Sequence, residues 1–218
     1  IDIAGFRKDR FYLYQSYWRP DFPMAHILPH WTWHDRIGQV TPVHVFTSGD
    51  EAELFVNGVS MGIKKKNTYE YRLRWDDVIY APGSLKVIAY KGGVKWAEDS
   101  LVTAGNPCKL VLNADRKFIK SDGKDLSFVT VKIVDKDGNN VPESGRNISF
   151  SVEGPGEIVS TDNGDPSDMT SFASTEKNIF NGLCLVVLKS KTGFSGKISL
   201  KAESSGMSSG IVEIQSGK

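Results

Sequence analysis

From about residue 40 onward, hydrophobic and polar positions alternate in short runs, with the period of two typical of β-strands that bury one face. Turn residues separate the first runs at Asn57-Gly58, Pro82-Gly83 and Gly92-Gly93. The runs before residue 105 are Val43–Thr47, Glu53–Asn57, Tyr69–Trp75, Leu85–Tyr90 and Val94–Leu101. This part of the pattern predicts a small antiparallel β-sandwich.

The alternation continues after residue 105 with different side chains. These runs are Lys109–Ala114, Leu126–Val134, Ile148–Val152, Leu183–Leu188, Lys197–Ala202 and Ile211–Ile214. About seven short strands in roughly 110 residues is typical of an immunoglobulin-like sandwich. No Trp follows Trp96, so the Cys…Trp…Cys spacing of true immunoglobulin domains is missing. The predicted fold class is therefore mainly β, with two consecutive β-sandwiches of immunoglobulin-like type.

The first twenty residues follow a different pattern. Phe11, Tyr14 and Trp18 have the spacing of one face of a helix, and Asp9 is placed to cap or favour its first turn. The preceding residues 1–3 resemble the end of a strand. The pattern predicts a strand-to-helix fragment that belongs to a neighbouring domain.

The aromatic composition changes near residue 105. All five Trp and all seven Tyr lie between Tyr12 and Trp96, and only Phe represents the aromatics beyond them. The turn-prone stretch 103–107 suits a domain junction. The predicted division is a strand-to-helix segment at 1–20, a connector at 21–38, a small β-sandwich at 39–105 and an immunoglobulin-like sandwich at 106–218.

Charge and composition exclude several classes of protein. The 218 residues carry 27 Lys and Arg against 26 Asp and Glu, a net charge of +1, so nothing favours nucleic acid or an anionic membrane as a partner. No apolar run approaches the roughly 20 residues of a membrane span. The chain begins without Met and in the middle of a pattern, from which we expect it to be a piece of a larger protein.

Three histidines, His26, His30 and His34, are spaced four apart, as zinc ligands on one helix face would be. Pro29 interrupts such a helix, and no nearby Cys or Glu completes a coordination sphere. An aromatic connector is the favoured interpretation, and we expect no metal site here.

A second candidate for a metal site is a loop with Asp135, Asp137 and Asn139 at positions 1, 3 and 5 of a calcium motif. The motif needs Gly at position 6 and Glu at position 12, where Asn140 and Arg146 stand. The loop is therefore predicted to be a hairpin turn. No cofactor is predicted for the chain.

No catalytic residue is predicted either. Glycoside hydrolysis needs two carboxylic groups about 5–10 Å apart, one protonated and one ionised, and no pair of Asp or Glu is singled out by the sequence. Cys184 is embedded in an apolar run, and Cys108 follows a proline. A disulfide between them and two free thiols are both open interpretations.

Trp31 and Trp33 are the candidate substrate-binding residues. Tryptophan faces stack on sugar rings, because the C–H groups of the sugar meet the negative face of the indole. The competing interpretation is that both rings pack in a small core or at a domain interface. The sequence leaves both interpretations open.

Five segments resemble, in order, the C-terminal region of bacterial β-galactosidase-type enzymes of glycoside hydrolase family 2. They are Ile1–Trp18, His26–Trp33, Glu53–Gly62, Ala104–Pro107 and Asp122–Val129. The first is similar to the passage from the last strand to the last helix of the catalytic (β/α)8 barrel. The second segment is similar to the exit from the barrel, and the third is similar to a hairpin of the β domain that follows. The last two are similar to the passage into the C-terminal immunoglobulin-like domain.

The resemblance implies a parent that is a retaining exo-glycosidase, β-galactosidase-like, acting on terminal β-linked sugars. Its acid/base and nucleophile glutamates would lie before Ile1, so the chain is expected to be a non-catalytic accessory region. The expected partners are the missing N-terminal domains and barrel, and carbohydrate through them. The resemblance also implies a periplasmic or secreted location, and it leaves homo-oligomer formation open. The alternative is a carbohydrate-binding or structural immunoglobulin-like module without enzyme activity.

Overall fold

The structure is a computed structural model that describes residues 1–218, and it contains one helix and sixteen strands. The elements of the first half are α1 (Asp9–Trp18), β1 (Ala25–Leu28), β2 (Val43–Thr47), β3 (Glu51–Val56), β4 (Val59–Lys65), β5 (Leu73–Trp75), β6 (Ser84–Lys91) and β7 (Val94–Val102). Those of the second half are β8 (Lys109–Ala114), β9 (Phe118–Lys120), β10 (Leu126–Val134), β11 (Asn147–Glu153), β12 (Gly156–Asp162), β13 (Glu176–Asn178), β14 (Leu183–Ser190), β15 (Gly196–Glu203) and β16 (Gly210–Gly217). The prediction of a mainly β chain is confirmed.

The chain divides into two compact units. The first consists of Ile1 and Arg7–Thr103, and the second of Asp2–Phe6 and Ala104–Lys218. No helix is long and apolar enough to traverse a lipid bilayer.

The first unit contains two antiparallel sheets, ordered β1-β2-β5 and β4-β3-β6-β7. Its core is a cluster of buried side chains that includes Val45, Leu54, Leu73, Val87 and Trp31. The predicted turns at Asn57-Gly58 and Gly92-Gly93 are both present, each as a two-residue connection of a hairpin with positive φ at both positions. These turns were predictable because a two-residue hairpin of this kind requires such residues.

The structure adds detail to three sequence predictions for this unit. The predicted connector 21–38 contributes strand β1, which pairs antiparallel with β2. The predicted run 69–75 is a strand only over its last three residues, because Tyr69 has φ of 67° in a turn. Asp9 is not the N-cap of helix α1, which is Lys8 without a side-chain capping hydrogen bond, but Asp9 lies in the first turn, as the second half of the expectation states. The Asp9 carboxylate instead pairs with His26 of β1, Oδ1 to Nε2, at 3.0 Å.

The second unit is a two-sheet sandwich with the sheet orders β12-β14-β10-β8 and β13-β11-β15-β16-β9. Alternate residues of these strands form its core, including Val131, Ile148, Val186, Leu200 and Ile214. The predicted runs all form strands. Three further strands were not predicted. β9 and β13 have only three residues each, and β12 carries a register shift where it pairs with β14.

The N-terminal residues 1–3 do not form the predicted strand. Asp2–Phe6 instead forms a tight turn in which the Asp2 amide donates to the Phe6 carbonyl at 3.0 Å and the Phe6 amide donates to Asp2 Oδ1 at 2.9 Å. A strand needs a neighbour for its backbone hydrogen bonds, and no strand of the described chain pairs with this segment.

Candidate functional site

Trp31, the first candidate for sugar contact, lies in the core of the first unit with 1% of its surface exposed. Its indole N–H donates to the Ala81 carbonyl at 3.2 Å, and the ring packs edge-on against Tyr80 with centroids 4.8 Å apart. Because neither ring face is open, Trp31 fits the core interpretation and has no surface to offer to a sugar.

Trp33, the second candidate, is only half-buried. Its indole N–H donates to the His30 carbonyl at 2.8 Å, and its ring stacks on the His30 imidazole with centroids 4.0 Å apart. The Arg36 guanidinium lies 5.8 Å from the Trp33 ring centroid. Burial lowers the pKa of His30, partly against the charge of Asp9, which favours the neutral ring for stacking. Trp33 thus keeps a partly exposed, firmly oriented ring.

The three histidines do not converge on one point. His26 stacks on Tyr12 with centroids 3.8 Å apart, His30 stacks on Trp33, and His34 is exposed. No group of three or more His, Cys, Asp or Glu in the chain is arranged to hold a metal ion.

The loop at Asp135 is a tight turn built around a buried carboxylate. Its oxygens accept hydrogen bonds from the amides of Gly105, Asp137 and Asn139 and from the Asn139 side chain, at 2.8–3.0 Å. Burial raises the pKa of Asp135, but these hydrogen bonds outweigh it and lower the pKa to about 2. Four protein donors saturate the carboxylate, so the predicted turn is present and the carboxylate is structural.

The two cysteines are free thiols, which settles the alternative left open by the sequence. The Cys184 thiol is fully buried in β14 and donates to the Asp162 carbonyl at 3.2 Å. Burial raises the pKa of Cys184 to about 12. A thiol with that pKa is not a nucleophile near neutral pH.

Sequence reasoning missed Lys177, which is 2% exposed. Its ammonium donates to the Thr170 carbonyl at 2.9 Å and lies 3.4 Å from Asp168 Oδ2. Burial raises the pKa of Asp168, but bonds from Thr170 and the charge of Lys177 lower it on balance. The ion pair fixes the loop before β13. Nothing in the sequence distinguishes this lysine from the exposed majority.

Helix α1 exposes two of the three aromatic side chains that its sequence spacing singles out. Trp18 is 74% exposed and Tyr14 is 49% exposed, and their rings stack with centroids 5.0 Å apart. The opposite face packs within the first unit through Asp9, Tyr12 and the buried Ser16. An open groove of about 490 Å³, here named the helix groove, runs along the exposed face. It is lined by Ile1, Arg10, Phe11, Tyr14, Gln15, Trp18 and Arg19.

Two family models match the chain in the order of its two units. Residues 38–97 match a domain of unknown function, DUF4982, and residues 110–213 match glycoside hydrolase family 2 C-terminal domain 5. The second unit thus matches a C-terminal domain of glycoside hydrolase family 2, and the comparisons relate the chain to the C-terminal region of enzymes of that family.

Individual relatives agree with this family. The chain is similar to the β-galactosidase BoGH2A of Bacteroides ovatus, at 41% identity over 215 residues, which are 98% of this chain and 25% of the relative. It is also similar to a β-glucuronidase of Formosa agariphila, at 25% identity over 71% of this chain and 16% of the relative. The solved structure of a β-glycosidase from Bacteroides vulgatus superposes with a TM-score of 0.93 at 34% identity, over 99% of this chain and 27% of that one. The chain therefore spans about a quarter of the length of BoGH2A and of the Bacteroides vulgatus enzyme.

Proposed function

We propose that the chain is the non-catalytic C-terminal accessory region of a retaining β-galactosidase that removes terminal β-linked sugars. The observation that carries this proposal is the helix groove. A surface helix normally turns its apolar stripe towards a core, but α1 leaves Trp18 and Tyr14 open. A catalytic barrel of which α1 is the last helix would cover them.

In this proposal residues 1–20 are the end of the barrel. Residues 21–38 connect the barrel to the first sandwich and also contribute strand β1. The first sandwich extends over residues 39–105, and the second extends over residues 106–218. The proposal draws support from the 41% identity to BoGH2A, which extends over both sandwiches and the helix.

In this proposal the catalytic carboxyl groups lie outside the chain. A glycosidase needs a carboxylic acid whose pKa is raised so that it can protonate the leaving group. All six carboxyls with a clearly shifted pKa are shifted downward, towards the ionised form. They are Asp21, Glu98, Asp122, Asp135, Glu157 and Asp168. The proposal places the acid and the nucleophile before Ile1, in the catalytic barrel that the resemblance implies.

The activity of the parent enzyme is tested by measuring how fast the complete polypeptide that carries this chain hydrolyses two substrates. We expect hydrolysis of p-nitrophenyl β-galactoside in preference to p-nitrophenyl β-glucuronide, because BoGH2A, which matches 98% of the chain at 41% identity, is named a β-galactosidase. Preference for the glucuronide would contradict the proposed sugar class. The proposal also includes export to the periplasm or outside the cell and interaction with carbohydrate through the barrel. Sedimentation of the complete polypeptide would measure whether it forms a homo-oligomer.

One observation favours a second function, saccharide binding by the chain itself. Trp33 keeps a partly exposed ring, held in place by His30 and its own indole hydrogen bond. If it contacts sugar, β-1,4-galactotriose shifts the indole N–H resonance of Trp33 in the chain, and Trp33→Ala lowers the affinity of the chain for this sugar while the fold is retained. A flat titration of the unmodified chain at millimolar sugar would contradict this function. Trp31→Ala is not a suitable probe, because it removes a core side chain.

A further inference from the structure

The outer face of the β12-β14-β10-β8 sheet carries an unusual patch. Asn113, Thr130 and Leu185 lie directly opposite one another on neighbouring strands, so they share one face of the sheet. Phe128 lies two residues from Thr130 on the same face and is 41% exposed. Asp115 stands beside it, since the Asp115 amide donates to the Phe128 carbonyl at 3.0 Å.

The N-terminal segment completes this patch into a groove. Ile3, Ala4, Gly5 and Phe6 line it together with the four strand residues and Asp115, which follows β8, around a volume of about 540 Å³. We name it the sheet groove. The turn that holds the segment is closed by hydrogen bonds between Asp2 and Phe6 and between the Gly5 amide and the Asp2 carbonyl. Gly5 has φ of +84°, which the turn requires and glycine permits.

The chemistry of the sheet groove suits a sugar. A pyranose ring presents an apolar face for an aromatic ring and hydroxyls for amides, carboxylates and other hydroxyls. Phe128 supplies the ring, Asn113 the amide and Thr130 the hydroxyl. The Asp115 carboxylate is oriented in advance, because its Oδ1 accepts from the Phe128 amide at 2.8 Å and from the Ser127 hydroxyl at 3.1 Å.

We propose that the sheet groove binds a pyranose of the substrate on the leaving-group side of the scissile bond. This rests on the proposed function, in which residues 2–6 connect the last barrel strand to the last helix. Such connections lie at the carboxyl ends of barrel strands, where active sites are built. The second sandwich, to which these residues belong, then forms part of the substrate path.

The test uses two substrates of the complete enzyme that differ only beyond the cleaved galactose. β-Galactosyl fluoride has a single-atom leaving group that cannot reach the sheet groove, whereas β-1,4-galactotriose extends into it. We expect Phe128→Ala and Asn113→Ala each to lower kcat/KM for the trisaccharide roughly five- to tenfold, the loss of one stacking or hydrogen-bonding contact, and to leave the fluoride within twofold. Phe128→Tyr keeps an aromatic face and retains most of the activity on the trisaccharide.

The matched control is Phe194→Ala, an exposed phenylalanine of the same sandwich outside the sheet groove. It should change neither substrate. Equal losses on both substrates, or a loss with Phe194→Ala as large as with Phe128→Ala, would overturn the sheet groove as a subsite. If the unmodified enzyme hydrolyses neither substrate, the proposed β-galactosidase activity fails instead. In that case, NMR of the 218-residue chain tests whether the sheet groove binds sugar. Galactotriose-induced shifts at Asn113 and Phe128 would support the sheet groove as a sugar site, and their absence would overturn it.

Discussion

At the scale of single residues, the polar groups that matter most in this chain stabilise its turns and loops. The Asp135 carboxylate accepts four hydrogen bonds within one turn. The buried ion pair between Lys177 and Asp168 stabilises a loop of the second unit. The sequence indicated the Asp135 turn through its Asp-Lys-Asp-Gly-Asn run. It could not indicate Lys177, because burial of a lysine depends on distant strands that the local pattern does not contain.

Asp135→Ala should destabilise the second unit by about 2–3 kcal/mol, because it leaves backbone amides of a buried turn without an acceptor. Asp137→Ala, in the same turn but exposed, should cost less than about 0.5 kcal/mol. Urea unfolding followed by circular dichroism measures both, since no Trp or Tyr follows Trp96 to report by fluorescence. Equal effects of the two substitutions would contradict the role given to Asp135.

The same carboxylate predicts a pH dependence. Its pKa is lowered in the folded state to about 2 from an ordinary value near 4, so its contribution is complete above about pH 4 and is lost as the pH falls towards 2. The difference in stability between the unmodified chain and Asp135→Ala should therefore shrink over that interval. A difference that stays constant down to pH 2 would contradict the assignment.

At the scale of elements, the sequence predicted most reliably those strands and turns whose formation depends on neighbouring residues alone. The hairpins at Asn57-Gly58 and Gly92-Gly93 follow from turn geometry alone, and the long alternating runs follow from one-sided burial. Strand β1 was missed because it has four residues and forms only by pairing with β2. The spacing of Phe11, Tyr14 and Trp18 located helix α1, yet spacing cannot tell whether an apolar face meets its own unit or another partner.

Helix α1 gives a prediction that separates these two cases. In the isolated chain, Trp18→Ala should change stability by less than about 0.5 kcal/mol, because the ring is 74% exposed. In the complete polypeptide, where we propose that the barrel covers Trp18, it should cost about 2–4 kcal/mol. Thermal unfolding of both forms measures this.

The control for this comparison is Tyr12→Ala. Tyr12 stacks on His26 within the first unit, so its removal should destabilise the isolated chain as well as the complete polypeptide. If Trp18→Ala has the same small effect in both forms, the barrel does not cover the helix groove.

At the scale of the whole molecule, the resemblance leads to our proposal that the catalytic residues lie outside the chain. The mainly β fold and the family could be predicted from ordered motifs along the sequence, and the comparisons bear out both. Trp31 as a sugar contact could not be judged from the sequence, because a buried and an exposed tryptophan have the same local pattern. The sheet groove was also invisible, since it joins residues 3–6 to strands more than a hundred positions away.

The most direct test of the central claim is the rate at which the purified 218-residue chain hydrolyses p-nitrophenyl β-galactoside, measured beside the complete polypeptide at equal molar concentration. We expect the chain to give only the background rate of buffer, because the carboxyl pair that cleaves the glycosidic bond is proposed to lie before Ile1. The complete polypeptide should turn over the substrate at an enzymatic rate. Turnover by the chain alone at a rate comparable to that of the complete polypeptide would contradict the non-catalytic assignment.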